Sequence, residues 1–207
     1  MRPFFAAISF LTVLPLPQSW CGDERALGRS LVWFPLVGLL IGCVMALLDL
    51  ALYSLFPGLL VPSALLLIAM IAVSGGLHLD GLADSADAFM SSRPREQMLE
   101  IMKDSRCGPM GVIVIVALLL LKFSALASLS GEWRTSTIVL MPLAGRVALV
   151  LQTVTMPYAR PSGLVSLFEQ RSLWQGSLAA AILAACGFFC FGWGGLWIAL
   201  ACFVVIG

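Results

Sequence analysis

Apolar runs long enough to cross a bilayer constrain this chain more than anything else in it. They lie at residues 31–56, 59–77, 110–129 and 137–156, and a longer one fills 177–207. About 20 helical residues span roughly 30 Å of hydrocarbon. Within that layer every backbone amide needs an internal partner, which leaves helices or closed barrels. Segments this long and continuously apolar are read as helices. The last run is too long for one crossing. Gly192-Trp193-Gly194-Gly195 divides it with a glycine break and an interfacial aromatic, so it reads as two spans, the second incomplete. The fold expected is an all-α polytopic transmembrane helix bundle of about 5–6 spans.

Composition agrees, since the chain is 60% hydrophobic and 11% charged, where soluble domains are about 45–50% apolar and about 25% charged. At 207 residues a single integral-membrane domain is expected over 1–207. The opening residues 1–17 could pass for a signal peptide, but Pro15 and Pro17 interrupt them and no A-x-A-like cleavage site follows. They read as a retained, short N-terminal interfacial segment. The lipid bilayer is thus one partner. A net charge of +1 without a basic tract gives no reason to expect nucleic acid. The six cysteines form no CxxC pair and read as small core residues rather than metal thiolates. A homo-oligomer is left open.

Charge sets the orientation. Arg2, Arg25 and Arg29, then Arg93, Arg95, Lys103 and Arg106, then Arg160 and Arg171 all fall on one side of such a bundle. The other side carries Arg134 beside Glu132. The first side is expected to be cytoplasmic. Two cations stand inside apolar runs, Lys122 and Arg146. Lys122 either snorkels to the far interface or faces the interior. Arg146 either faces a polar cavity or makes a structural ion pair, for instance with Asp49.

The segment 78–109 is unlike the rest. Six of the eleven acidic residues lie from Asp80 to Asp104, and the only histidine, His78, stands at its start. Asp80, Asp84 and Asp87 are spaced i, i+4, i+7 and share one helix face. Like charges so close call for a cation between them, and a divalent metal takes hard oxygen ligands. The spacing predicts a helix over 79–90, and Ser91-Ser92-Arg93-Pro94 starts a second over 95–103. Asp80, Asp84 and Asp87 are the metal candidates, and Asp104 joins them as a catalytic candidate from the second helix. Lys103, Arg106, Arg146 and Arg160 are the phosphate candidates. His78 is a base, a ligand, a donor to phosphate or a structural histidine. A solvated acidic loop is the bland alternative.

Gly75-Gly76-Leu77-His78-Leu79-Asp80-Gly81-Leu82-Ala83-Asp84-Ser85-Ala86-Asp87-Ala88, followed by Met102-Lys103-Asp104-Ser105-Arg106 and Gly108, closely resembles the cobalamin synthase family, the adenosylcobinamide-GDP ribazoletransferases. Phe10-Leu11-Thr12 with Leu14-Pro15 looks like the family's opening, and Trp33-Phe34-Pro35-Leu36-Val37-Gly38 like its first membrane segment. Leu121-Lys122 and Met156-Pro157-Tyr158-Ala159-Arg160 fall where the family has similar runs. The resemblance implies a Mg²⁺-dependent, multi-pass transferase of the bacterial inner membrane with its active site toward the cytoplasm. Its substrates would be adenosylcobinamide-GDP and α-ribazole or α-ribazole 5′-phosphate, and GMP would leave. Asp80, Asp84 and Asp87 would hold metal on the diphosphate, and Lys103 and Arg106 would contact phosphate or GMP. His78 or Asp104 would take the proton of the attacking hydroxyl. The family also carries a Gly-Gly-x-Thr-Gly-Asp-like motif beyond the last region seen here, so the sequence is expected to be a partial version.

Two other readings are weaker. CDP-alcohol phosphotransferases also set aspartates on membrane helices, but Asp80-Gly81-Leu82-Ala83-Asp84 lacks their arginine and the later spacing differs. A cation transporter would hold its acidic ligands near mid-membrane on broken helices. Here they lie among Arg93, Arg95, Lys103 and Arg106.

Overall fold

The computed structural model describes residues 1–104, 106–158, 164–168 and 171–206, and these residues are predominantly helical with no strand among them. In order the helices are α1 (Arg2–Leu11), α2 (Gln18–Cys21), α3 (Glu24–Gly28), α4 (Phe34–Leu55), α5 (Leu60–Ser74) and α6 (Leu77–Met90). Then come α7 (Arg95–Ile101), α8 (Pro109–Ser128), α9 (Gly131–Thr155), α10 (Leu173–Phe191) and α11 (Trp193–Ile206). Two compact units result: Met1–Ala51 with Gly131–Gly207, and Leu52–Ser130.

Four helical segments are long and apolar enough to cross a membrane: Ser30–Leu55, Pro109–Ser128, Trp133–Thr155 and Leu173–Phe191. The bent pair α5 and α6 makes up to 5. This is a polytopic helical membrane protein. Its surface agrees, because α8 leaves Val112, Ile113, Val116, Leu120 and Leu121 exposed and α4 leaves Leu40, Val44, Leu47 and Leu50 exposed. Contiguous exposed apolar surface of this kind suits lipid.

In the first unit, α9 packs on α10, and α11 packs on both. The core there is Ile138, Leu143, Val147 and Val150, all fully buried. Helices α4 and α9 meet backbone to backbone. A Cβ added to Gly38 would lie 2.8 Å from the Pro142 carbonyl oxygen, and one on Gly42 would overlap the Val139 carbonyl. Glycines spaced by four let membrane helices approach this closely. The interfacial segment expected at the N-terminus is α1, which buries Ala6, Ala7 and Leu11. Phe10, Phe34 and Phe168 form a triangle of ring contacts at 5.8–6.1 Å that ties α1 to α4 and to the 3-10 turn Leu164–Phe168.

Asp49 of α4 is buried, and its partner is Arg134 of α9 rather than Arg146. Arg134 Nε donates to Oδ2 at 2.8 Å and its terminal nitrogen to Oδ1 at 2.6 Å. The pairing of Arg146 with Asp49 contemplated from the sequence is therefore replaced by one from the start of α9. An acid in an apolar helix needs a partner. Arg134 supplies it two-pronged, the geometry a guanidinium gives best.

In the second unit, α5 is 15 residues long, and the chain turns by 88° before α6. The expected span 59–77 thus ends early. Gly75 and Gly76 make the turn with φ of +60° and +74°, a left-handed pair that glycine adopts at little cost. Helix α6 carries the carboxylates, α7 packs against α6, and α8 packs against both α5 and α6. The two helices expected in 78–109 are present as α6 and α7, with α7 starting directly after Pro94.

Candidate functional site

The carboxylate face lies on α6. At about 100° per residue, Asp80, Asp84 and Asp87 fall within roughly 60° of one another on one continuous helix, as their spacing predicts. Asp80 is exposed, and Asp84 and Asp87 are half-buried. Buried alanines border that face, Ala83 and Ala86 on one side and Ala88 on the other. His78, in the first turn of α6, sits roughly 120–180° around the helix from the three carboxylates. It is half-buried, with its Nε2 shielded from solvent. The structure gathers the three aspartates and leaves the histidine off their face.

Asp87 has partners the spacing did not announce. Its Oδ2 accepts from the Gly108 N–H at 2.7 Å and its Oδ1 from the Gly111 N–H at 2.9 Å. Those amides open α8, where Gly108 is the N-cap residue. A helix start leaves its first amides without acceptors, and a carboxylate there also meets the positive end of the helix dipole. Gly108-Pro109-Met110-Gly111 offers a helix start with no side chain able to cap it.

Lys103 and Arg106 are exposed on the segment between α7 and α8. Arg106 is bound locally. Its Nε donates to Asp104 at 3.0 Å and its terminal nitrogen at 2.6 Å, while its backbone N–H donates to Oδ1 at 3.1 Å. The Arg106 guanidinium hydrogen bond, helped by the backbone one, holds the Asp104 carboxyl down to about 2, and the same contact raises Arg106. A carboxylate held so low binds a proton poorly near neutrality. Asp104 is thus placed as a brace for Arg106 rather than as a base.

Arg146 lies in the other unit. It is 8% exposed, on α9, with its Nε buried and without a hydrogen-bond partner among the described residues. Its Cβ lies 3.2 Å from where a Cβ on Gly38 of α4 would stand. Arg160 falls outside the described residues.

Among the described residues, no three His, Cys, Asp or Glu side chains converge as a metal-binding group. With Asp87 turned to α8, Asp80 and Asp84 remain one helical turn apart on the same face of α6. Mg²⁺ commonly takes one or two carboxylates and completes its shell with substrate phosphates and water. A pair of aspartates one turn apart, Asp80 exposed and Asp84 half-buried, therefore fits Mg²⁺ on a phosphorylated substrate, although the three-aspartate set does not close here.

A family model described as cobalamin-5-phosphate synthase matches residues 3–207. Curated relatives called adenosylcobinamide-GDP ribazoletransferase include one from Pseudomonas putida (strain GB-1), 41% identical over 203 residues, 97% of this chain and 82% of the relative. One from Pseudomonas fluorescens is 42% identical over 204 residues, again 97% and 82%. One from Pseudomonas aeruginosa is 46% identical over 165 residues, 79% of this chain and 66% of the relative. No solved structure matches. With its aspartate helix, its membrane spans and a match over nearly its whole length, the chain belongs to the cobalamin-5-phosphate synthase family.

Proposed function

We propose that this protein is a transferase of cobalamin (vitamin B12) biosynthesis. It joins adenosylcobinamide-GDP to α-ribazole or α-ribazole 5′-phosphate and releases GMP. The observation that carries the reading is the family match across residues 3–207. Relatives named adenosylcobinamide-GDP ribazoletransferase support it at 41–42% identity over 97% of the chain.

In this reaction a ribazole hydroxyl oxygen attacks the phosphorus on the cobinamide side of the diphosphate. One P–O bond forms, the P–O bond to GMP breaks, and the hydroxyl proton leaves to solvent. Positioning and electrostatics supply most of the acceleration in such displacements, so a strong base is not required. Asp80 and Asp84 are the residues we assign to Mg²⁺, on the strength of their one-turn spacing on one helix face. Mg²⁺ held there would neutralise diphosphate oxygens and the charge that develops on departing GMP. Lys103 and Arg106 are assigned to phosphate, Arg106 being held in orientation by Asp104. In the other unit, the buried Arg146 Nε has no hydrogen-bond partner among the described residues, which favours an anion beside it.

The membrane is proposed to be the bacterial inner membrane, with the segment between α6 and α8 toward the cytoplasm. Arg93, Arg95, Lys103 and Arg106 in that segment support this orientation. Chromatography of a mixture of purified chain, Mg²⁺, adenosylcobinamide-GDP and α-ribazole tests the activity. A cobalamin product is expected, and its absence with both substrates intact would count against the reading.

A further inference from the structure

The aspartates of α6 do not share one task. Asp87 reaches forward 21 residues to the Gly108 amide and 24 to the Gly111 amide. An N-cap is ordinarily supplied by the residue that opens the helix. Here that residue is glycine, and the acceptor comes from another helix. The fit is close. A Cβ on Gly108 would lie 2.7 Å from Asp87 Cγ, and one on Gly111 would lie 2.6 Å from Asp87 Oδ2 and 3.0 Å from Ala83 Cβ. Glycine at both positions is what lets the carboxylate reach the amides.

The clasp closes an excursion of the chain. Between Asp87 and Gly108 run α7, Lys103, Asp104 and Arg106, and Arg106 stands two residues before the clasped amide. The position is also unfavourable for a cation. The start of α8 carries the positive end of its dipole, and each Asp87 oxygen already accepts one amide there.

We infer that Asp87 is a positioning residue and not a metal ligand. It fastens the start of α8, and with it the Lys103–Arg106 segment, to the helix that carries Asp80 and Asp84. This rests on the transferase reading above and divides the labour within that site.

Two readouts on the full chain in detergent test it without relying on turnover. One is Mn²⁺ binding in the presence of GDP, followed by electron paramagnetic resonance. The other is hydrogen exchange of the amides at 108–111. Asp87→Asn is expected to keep the Mn²⁺ Kd within about twofold of the parent while those amides exchange at least about tenfold faster. Gly111→Ala is expected to reproduce the faster exchange. The two changes together should be no worse than either alone, as members of one interaction behave. Gly111→Ala carries the same test should Asp87→Asn fail to fold. Asp87→Asn weakening Mn²⁺ binding tenfold or more, with the 108–111 amides still protected, would overturn the inference. Asp80→Asn separates the two claims. If it leaves Mn²⁺ binding unchanged, the metal face falls, while the exchange data still decide the role of Asp87.

Discussion

Asp49 and Arg134, 85 residues apart in sequence, form a buried two-point ion pair between α4 and α9, with the Arg134 Nε 2.8 Å from Asp49 Oδ2. Their side chains are 6% and 4% exposed. Burying two charges costs about as much as their attraction returns, but stripping one partner leaves an uncompensated charge. Asp49→Leu or Arg134→Leu alone is expected to destabilise the protein by about 3–5 kcal/mol. The double change should recover most of that loss. Reversible unfolding in mixed micelles measures it, and equal losses in the singles and the double would argue against the pair.

The bend between α5 and α6 depends on two left-handed residues. An alanine in that region costs about 1–2 kcal/mol. Gly75→Ala and Gly76→Ala should each lower stability by about that amount, and the pair should lower it further. Nothing lies within 4 Å of a Cβ at Gly76, so its penalty is conformational rather than steric. Gly81→Ala, inside α6 with equally open space, should be neutral or slightly stabilising. Thermal melts of the four variants separate these outcomes.

The Asp104–Arg106 contact sets a pH expectation. Its carboxyl titrates at about 2 in the folded chain, against an ordinary value of 3.8. A depressed carboxyl stabilises the fold above the ordinary value and loses that contribution as pH falls through about 2. Asp104 therefore stays ionised across the working range. Asp104→Asn should shift neither limb of the pH–rate profile between about pH 5 and 9, while kcat falls a few-fold as Arg106 loses its brace. A limb that moved in that variant would return Asp104 to the role of base.

The aspartate face shows how far the residues alone could lead. Asp80, Asp84 and Asp87 were legible as one face because helical spacing is local. The partner of Asp87 was not, because backbone amides at Gly108 and Gly111 carry no side-chain signature. Arg134 was read as an outlying charge, since nothing local to Asp49 says which distant cation reaches it. The bend was foreshadowed by two glycines ending an apolar run, but glycine there also suits close helix packing. The all-helical, multi-span architecture was legible because hydrocarbon leaves few alternatives. His78 looked central by its place in the motif, and only the helix phase put it off the carboxylate face.

The central claim is that Asp80 and Asp84 hold the Mg²⁺ through which GMP is released. The most direct measurement is GMP release as a function of Mg²⁺ by the parent chain, Asp80→Asn and Asp84→Asn, with adenosylcobinamide-GDP and α-ribazole supplied. The parent should release GMP with Mg²⁺ and none with EDTA. Each variant should lose at least about tenfold in turnover, since removing one electrostatic stabiliser is often worth ~2.7–4 kcal/mol, and should need more Mg²⁺. GMP release that persists in EDTA, or near-parent rates in both variants, would contradict the account.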